Sequence, residues 1–259
     1  MEGSSAKRVV VVYGTQGGMG DVGKFAAVHA QKLANSGECT VKVVAMFRQS
    51  EEGTDLGFEA DVYPEAKEEV KAELRKLEGE IIPVDVDSET AQASLETAFE
   101  GADAVVACLG NRQPDMARWL SLGAEKVVDA MGQKGVNRLV ILSSMGIGED
   151  FMPFSFIHNI LWPLLLNTLM RSAKRDLQGL ERVVEASDLN YLIVKAVGLT
   201  PEEKPEETWH VLQSRGGDVE ISIAKSDMAA FMLQEALQPT MVKKAVTAGS
   251  KPKKKGCCS

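Results

Sequence analysis

Val9-Val10-Val11-Val12-Tyr13-Gly14-Thr15-Gln16-Gly17-Gly18-Met19-Gly20 is the stretch from which the fold can be worked out. Its first half is a continuous run of β-branched residues, which is typical of a strand covered on both faces in a parallel sheet. Gly14, Gly17 and Gly20 then follow at intervals of three, so the backbone can turn sharply and lie close to a pyrophosphate. A helix beginning at such a turn directs unpaired N–H groups and the positive end of its dipole at the phosphates. The stretch therefore predicts a nucleotide-binding strand, turn and helix.

The neighbouring sequence indicates that the nucleotide is a dinucleotide. The helix is predicted to run to about Leu33, and a second strand is predicted from Thr40 to Phe47. The predicted fold class is α/β of the Rossmann type, a single doubly wound, mostly parallel sheet with helices on both faces. Six residues of the turn are predicted to contact the cofactor: Gly14, Thr15, Gln16, Gly17, Met19 and Gly20.

The same residues allow a second interpretation. The segment from Gly18 to Lys24 matches the phosphate-binding loop of ATPases up to its lysine, but Phe25 stands where a hydroxyl group should hold magnesium. An ATPase is therefore kept only as the last of three functional hypotheses. Without that hydroxyl, we interpret Lys24 as a cation on the helix surface, near the phosphates.

Composition limits the class of protein. The 259 residues, 44% of them hydrophobic, suffice for one substantial core, so residues 1–249 are predicted to form one domain and residues 250–259 a tail. The net charge of −8 argues against nucleic acid as a partner, because a phosphate-binding surface needs a basic field. The four cysteines suggest no disulfide framework and indicate a reducing, cytoplasmic location, with Cys108 as a buried hydrophobe. The three histidines lack metal-ligand spacing, so no metal site is predicted.

Further along, the pattern predicts the alternating strands and helices of such a fold. Strands are predicted over 80–84, 104–111, 138–142, 190–195, 209–213, 219–223 and 245–248, and helices over 89–99, 116–134, 157–186 and 226–237, the last capped by Ser226 and Asp227. Residues 49–79 form an acidic insertion with a helix over 64–77, to which we assign no chemistry. A loop rich in Pro and Glu over 201–207 is long enough to act as a lid.

The end of the second strand bears on the choice of dinucleotide. A carboxylate here holds the ribose 2′-hydroxyl of NAD, whereas an arginine accommodates the 2′-phosphate of NADP. This chain has Arg48 and no acid before Glu51, so we predict NADP(H), with NAD(H) the less favoured cofactor. The alternative is that Arg48 is a solvated side chain. Further cofactor contacts are predicted after the next two strands: Asp85 and Val86 beside the adenine, and Leu109 and Gly110 in the crevice. Asp85 can alternatively be an acid at the N terminus of the next helix.

As an ordered set, these landmarks resemble the atypical short-chain dehydrogenases, the NAD(P)H-binding group that includes NmrA-like regulators and reductases of the flavin/biliverdin reductase B type. The resemblance covers the chain from about Lys7 to Ala248. It rests on the glycine triplet, Arg48, Asp85 and the segments 104–110, 139–144, 187–199 and 223–237. It is specific for the fold and much less so for the reaction.

In the Tyr-Lys branch of this superfamily, a serine after the fifth strand and a Tyr-x-x-x-Lys pair on the next helix form the proton-donating site. Tyr191 and Lys195 have this spacing, but their segment reads as a strand, on which roughly 13 Å rather than about 6 Å separates such residues. On the helix that should carry the pair, Lys174 keeps the lysine while Met170 replaces the tyrosine. A thioether cannot donate a proton.

The candidate catalytic residues are therefore Ser143, Ser144 and Lys174, with a hydrogen-bonded strand-end hydroxyl and a solvated helix cation as the alternatives. Hydride transfer requires mainly that the protein position the cofactor. We predict an NADP(H)-dependent oxidoreductase that reduces a small acceptor of the quinone, flavin or carbonyl type. The alternative is a non-catalytic NADP-binding regulatory or assembly protein of the NmrA-like type, which Met170 favours.

The last residues change composition abruptly. They combine Lys253, Lys254 and Lys255 with Cys257 and Cys258. Each lysine near an anionic leaflet contributes about 1 kcal/mol, and an acyl chain supplies the second signal needed for stable attachment. This is not a prenylation box, because the fourth residue from the end is a glycine. A free, disordered and solvated tail is the default interpretation, and peripheral membrane attachment by S-palmitoylation is the alternative that the pattern suggests.

Overall fold

The computed structural model describes residues 6–15, 19–48, 76–77, 81–110, 118–147, 170–201, 209–212, 219–220 and 222–251. Several predictions lie outside these residues. They are the contacts of Gln16 and Gly17, the acidic insertion except for residues 76–77, the helix over 157–169, the lid except for residue 201, and the tail from residue 252.

The described strands form one large sheet and one small sheet. In chain order they are β1 (Lys7–Gly14), β2 (Cys39–Phe47), β3 (Ile81–Asp85), β4 (Ala104–Cys108), β5 (Arg138–Ser144), β6 (Asn190–Ala196), β7 (Gly198–Thr200), β8 (Trp209–Leu212), β9 (Ser222–Ala224) and β10 (Lys244–Ser250). The large sheet has the order β3-β2-β1-β4-β5-β6-β10-β8. All of its pairs are parallel except β10 with β8, so seven parallel strands end in one antiparallel edge strand. Strands β7 and β9 pair separately.

Helices cover both faces of the large sheet. They are α1 (Gly20–Asn35), α2 (Ala91–Phe99), α3 (Trp119–Lys134), α4 (Arg171–Glu185) and α5 (Lys225–Leu237). Helices α1 and α5 pack on one face, and α2, α3 and α4 on the other. This is the doubly wound Rossmann-type fold expected from the sequence, and the prediction of fold class is confirmed.

The two cores explain why the first strand is a continuous apolar run. Alternate residues of a strand point to opposite faces. Val9 and Val11 accordingly enter the core under α1 and α5, while Val10 and Val12 enter the core under α2, α3 and α4. All four side chains are buried, so neither face of β1 has room for a polar residue.

Several element predictions are confirmed and others are wrong, since the strands predicted over 104–111 and 219–223 end at Cys108 and begin at Ser222. Tyr191 and Lys195 lie within β6, as expected, and Cys108 is completely buried on β4. Strand β5 continues through Ser143 and Ser144, two residues beyond the predicted end. The predicted cap of α5 is wrong, because that helix begins at Lys225 without a side-chain cap and already contains Ser226 and Asp227 in its first turn.

Ser226 instead joins two helices. Its Oγ lies 3.0 Å from Nε2 of His29 on α1, and α1 and α5 pack against each other through this contact and their apolar faces. Burial, and secondarily the charge of Lys32, lower the pKa of His29 below its ordinary value. The neutral imidazole is thus the form that the folded protein favours.

The interpretation of Lys24 as a surface cation is wrong. Its side chain is completely buried against the first strand, with Nζ 5.8 Å from the centre of the Tyr13 ring and 3.6 Å from Oδ1 of Asp21. Position 24 faces the sheet because glycines at positions 20 and 23 bring α1 close to the strands. A buried ammonium is tolerated here because it has a carboxylate partner and an aromatic face.

Candidate functional site

The glycine turn brings three backbone segments into direct contact at the carboxyl edge of the sheet. A Cβ atom at Gly20 would lie 2.0 Å from the carbonyl oxygen of Gly14, and one at Gly14 would lie 2.7 Å from the amide nitrogen of Gly110. A Cβ at Gly23 would meet the Cβ atoms of Tyr13 and Cys108 at 2.5 and 2.9 Å. The glycines therefore let α1 begin directly on β1 and next to the end of β4, the position from which helix amides reach a pyrophosphate.

Sequence reasoning did not identify the packing role of Gly23. It lies three residues after Gly20, so both face the same side of α1, and this i, i+3 spacing is the signal that could have shown it.

Thr15 supports a ligand at this turn. Its backbone amide donates to the carbonyl of Met46, which fixes the turn against β2. Its hydroxyl is buried and has no hydrogen-bond partner within the described part of the chain. Buried hydroxyl groups are normally paired, so this one fits a site in which a polar ligand group supplies the partner. Met19, also predicted to contact the cofactor, occupies the N-cap position of α1 and forms no side-chain cap there.

The start of α1 carries a charge cluster that the sequence did not reveal. Asp21 in the first turn is buried and pairs with two lysines, Lys24 at 3.6 Å and Lys225 of α5 at 2.9 Å. A lone carboxylate here would repel a phosphate. The two ammonium groups offset this carboxylate, so Asp21 does not cancel the tendency of the helix dipole to favour an anion. Lys225 lies 204 positions from Asp21 in the chain, so no local pattern could have identified the contact.

The N terminus of α3 is closed to phosphate. Asp176 of α4 is buried, and its carboxylate accepts hydrogen bonds from the backbone amides of Leu120 and Ser121 at 2.8 and 2.9 Å and from the Ser121 hydroxyl at 2.7 Å. The amides that a phosphate would need are thus already occupied by a side chain. Of these two helices on the same edge, α1 is the one suited to hold a diphosphate.

Leu109 and Gly110, predicted crevice residues, follow β4 and are buried. The carbonyl of Gly110 accepts a hydrogen bond from the indole N–H of Trp119 at 3.2 Å, while its amide lies beside Gly14. The turn after β1 and the segment after β4 therefore meet, as the crevice between two neighbouring parallel strands requires.

Arg48 directly follows β2 and is paired with an acid that the sequence analysis had not considered. Its Nε lies 2.5 Å from Oδ2 of Asp87, and its Nη2 donates to Oδ1 at 3.2 Å. The two residues follow neighbouring parallel strands, since Phe47 is aligned with Asp85 and the amide of Val86 donates to the carbonyl of Phe47 at 2.8 Å. The arginine is thus held beside the predicted adenine residues.

Asp85 and Val86 differ in what they offer a cofactor. Val86 is buried, while Asp85 is half-buried at the end of β3. One carboxylate oxygen of Asp85 accepts the amide of Asp87 at 3.1 Å, so part of its hydrogen-bonding capacity is used locally. A carboxylate has about four lone-pair sites, which leaves room for an adenine amino group. Helix α2 begins only at Ala91, six residues later.

Ser143 is buried in an internal network. Its hydroxyl donates to Oε1 of Glu181 on α4 at 2.5 Å, and Oε2 of Glu181 lies 3.1 Å from Nζ of Lys195. The ammonium group of Lys195 also donates to the backbone carbonyl of Ile147. This network ties β5, β6 and α4 together and anchors the chain just after β5. It assigns Lys195 a structural partner, which agrees with the expectation that Tyr191 and Lys195 do not form a helical proton-donating pair.

The two other predicted catalytic residues are more accessible. Ser144 is half-buried at the end of β5 and its hydroxyl donates to the carbonyl of Met145 at 3.3 Å. Lys174 is half-buried in the first turn of α4, four residues after the exposed Met170 at the N-cap position.

Tyr191 on β6 is a poor proton donor. Burial, and secondarily the charge of Glu185, raise the pKa of Tyr191, so its hydroxyl becomes a weaker acid.

Within the residues that the structure describes, no group of three or more His, Cys, Asp or Glu side chains has an arrangement that could hold a metal ion. Among the helices of this part of the chain, none combines the length and apolar character that crossing a membrane requires.

A family model described as NAD(P)H-binding matches residues 65–239, which is more than half of the chain. No curated protein matches the chain significantly.

Many solved structures share the fold. A short-chain dehydrogenase/reductase from Veillonella parvula in complex with NADP has a TM-score of 0.61 at 15% identity, covering 94% of both chains. An anaerobilin reductase, ChuY from Escherichia coli O157:H7, has a TM-score of 0.60 at 18% identity over 94% of this chain and 97% of that chain. A Rossmann-fold NAD(P)-binding protein from Shigella flexneri has a TM-score of 0.54 at 21% identity, covering 94% and 93%.

Proposed function

The chain belongs to the NAD(P)H-binding family, and we propose that it is an NADP(H)-dependent oxidoreductase that reduces a small acceptor of the quinone, flavin or carbonyl type. The observation that carries the proposal is the buried Thr15 hydroxyl at the glycine turn, which has no hydrogen-bond partner among the described residues and lies beside a helix N terminus without a side-chain cap. An orphaned hydroxyl and uncapped amides fit the diphosphate of a dinucleotide. One structural neighbour was solved in complex with NADP, and another is named as a reductase. Both support the class of NADP(H)-dependent oxidoreductases.

Each group of residues in the site would bind a different part of the cofactor. The turn from Gly14 through Gly20 would hold the diphosphate, with the Thr15 hydroxyl donating a hydrogen bond to a phosphate oxygen. Arg48 would bind the 2′-phosphate of NADP, and Asp85 with Val86 would border the adenine. Leu109 and Gly110 would form the floor of the crevice through which the cofactor extends across the sheet. When bound, the reduced nicotinamide supplies the hydride.

The acceptor side needs little acid catalysis for quinones or flavins, because solvent can provide the proton. Ser144 and Lys174 are the half-buried polar groups that we assign to orient the acceptor or the nicotinamide ribose. We assign Ser143 to holding the end of β5 in place, since its hydroxyl donates a hydrogen bond to Oε1 of Glu181.

A second candidate is a non-catalytic NADP-binding regulator or assembly protein. The exposed methionine at the start of α4, where a catalytic tyrosine would be needed for a carbonyl substrate, favours it. Both candidates require the same cofactor site, so binding alone does not separate them.

The first experiment measures binding. NADPH, NADH and ATP are titrated against the purified full chain by thermal shift and fluorescence, because a ligand that binds the folded state raises its stability. We expect NADPH to bind most tightly and ATP least. Replacing Arg48 with Gln removes charged hydrogen bonds, so the affinity for NADPH should fall about tenfold while the affinity for NADH stays unchanged.

Arg8→Gln is the matched control, since Arg8 also pairs with an aspartate but at the opposite edge of the sheet. An intact protein that binds neither pyridine dinucleotide would refute the proposal. Steady oxidation of NADPH with a quinone, a flavin or an aldehyde supports the oxidoreductase, whereas tight binding without turnover across this panel supports the regulator.

We also propose peripheral membrane attachment through the tail. The described chain ends at Lys251, one residue after β10, and β10 runs parallel to β6. The tail therefore leaves from the carboxyl edge of the sheet, the edge that carries the cofactor residues. Attachment would hold this edge towards the lipid surface, which suits an apolar acceptor.

A further inference from the structure

The guanidinium group of Arg48 is engaged by a carboxylate in the way that arginine engages phosphate. Oδ2 and Oδ1 of Asp87 face Nε and Nη2 at 2.5 and 3.2 Å, so two acceptor oxygens meet two nitrogens on one edge of the planar group. This paired arrangement is the preferred geometry of arginine with both carboxylate and phosphate. Asp87 therefore uses the edge of the guanidinium that an incoming 2′-phosphate would also prefer.

The backbone holds Asp87 in this position. Its amide donates to Oδ1 of Asp85, and the amide of Ser88 donates to the carbonyl of Asp85, both at 3.1 Å, which closes a tight turn after β3. The adjacent Val86 is fixed to the carbonyl of Phe47. The carboxylate is consequently placed by a rigid turn rather than by a long, mobile side chain.

The pair is open to solvent on the side of the carboxylate. The Asp87 side chain is 48% exposed and that of Arg48 26% exposed, so the acid is the more accessible partner. A phosphate that approaches Arg48 must therefore displace this carboxylate or accept a like charge beside it. Either event lowers the affinity for a 2′-phosphate, whereas a 2′-hydroxyl carries no charge that the carboxylate could repel.

From this geometry we propose that Asp87 is a specificity-determining residue that reduces the preference for NADP(H) over NAD(H) by competing for Arg48. The inference rests on the proposed function, because it requires that a pyridine dinucleotide binds here. A solvent-exposed ion pair is weak, so removing the negative charge should raise the NADPH affinity by only about two- to fivefold.

The test is the Asp87→Asn variant, which keeps the size and an oxygen acceptor but removes the charge. Dissociation constants for NADPH and NADH are measured by fluorescence and calorimetry at low and at raised ionic strength. Adenosine 2′,5′-bisphosphate and AMP serve as probes that lack the nicotinamide. Asp103→Asn is the control, because Asp103 pairs with Arg8 at the far edge of the same sheet and has a similar exposure of 46%.

We expect Asp87→Asn to bind NADPH and adenosine 2′,5′-bisphosphate more tightly and to bind NADH and AMP with unchanged affinity. The gain should shrink at raised salt, since exposed charges are screened over about 10 Å at 0.1 M. Asp103→Asn should change the affinity for none of the four ligands.

An unchanged ratio of NADPH to NADH affinity in Asp87→Asn would overturn the inference while leaving the proposed function standing. Weaker NADPH binding in this variant would also overturn it, because Asp87 would then be needed to hold Arg48 in place. If the wild-type protein binds neither dinucleotide, the proposed function fails, and the inference fails with it.

Discussion

Replacing Gly20 with Ala adds one methyl group at the point where α1 meets β1. Its Cβ would lie 2.0 Å from the carbonyl oxygen of Gly14, and contacts under 3.0 Å are essentially never seen for real Cβ atoms. The first turn of α1 must therefore move by at least about 1 Å, and it cannot do so by rotating a side chain, because the opposing atom belongs to the backbone.

The size of the effect follows from this movement. Forcing an extra carbon into a well-packed site costs about 1–3 kcal/mol, so we expect the free energy of unfolding to fall by this amount. The same shift moves the helix amides away from a bound diphosphate. The loss of one hydrogen bond to a charged group, about 1.5–3 kcal/mol, corresponds to at least a tenfold weaker affinity for NADPH.

Gly132→Ala is the matched control. Gly132 is an exposed glycine of α3, and a Cβ atom there meets nothing within 4 Å. Alanine is the better helix former, so this variant should gain roughly 0.5–1 kcal/mol of stability and bind NADPH as the wild type does.

Urea unfolding followed by circular dichroism measures the stability of both variants, and fluorescence titration measures their affinity for NADPH. The two substitutions should shift the unfolding midpoint in opposite directions. If Gly20→Ala unfolded at the wild-type midpoint and bound NADPH with the wild-type dissociation constant, close approach of α1 to β1 would not be what holds the diphosphate.

Three further predictions concern charge and the tail. Lys24→Met leaves the buried Asp21 with one lysine partner fewer, so the free energy of unfolding measured in urea should fall by about 2 kcal/mol. An unchanged unfolding midpoint would show that the pair contributes nothing to stability. Because the pKa of His29 is lowered in the folded state, the unfolded state takes up more protons as the pH falls below about 6.5, and stability should drop in that range. A His29→Gln variant should show a smaller drop over the same pH range, and an identical profile in urea titrations would contradict this. Mass spectrometry of the native C-terminal peptide over 252–259 should show an acyl group, and peptides carrying only unmodified cysteines would refute membrane attachment through acylation.

The main features of the fold could be predicted from local patterns. Four consecutive valines indicated a strand buried on both faces, and the structure places Val9 and Val10 in the two separate cores. The same reasoning placed Tyr191 and Lys195 on a strand, so their Tyr-x-x-x-Lys spacing was not counted as a catalytic motif. These predictions succeeded because strand and helix periods are properties of neighbouring residues.

The candidate site was predictable only in part. The glycine spacing and Arg48 were readable, since they lie in one strand–turn–helix–strand unit. The position of Lys24 was misjudged because a lysine in a helix is usually solvated, whereas here the glycines on that face of α1 bring it against the sheet. The cap of α5 was misplaced for a related reason, as Ser226 is used by His29 of another helix.

The succession of strands and helices along the chain, the sharp turn after β1 and the lack of a tyrosine at the start of α4 can all be read from the amino-acid sequence. The pairing of polar side chains depends on the packed fold: Asp87 meets Arg48, Glu181 meets Ser143 and Lys195, and Lys225 meets Asp21. Periodicity reports which face of an element a side chain occupies. It carries no information about which distant element will pack against that face, and the partner of a buried or bridging charge depends on that packing.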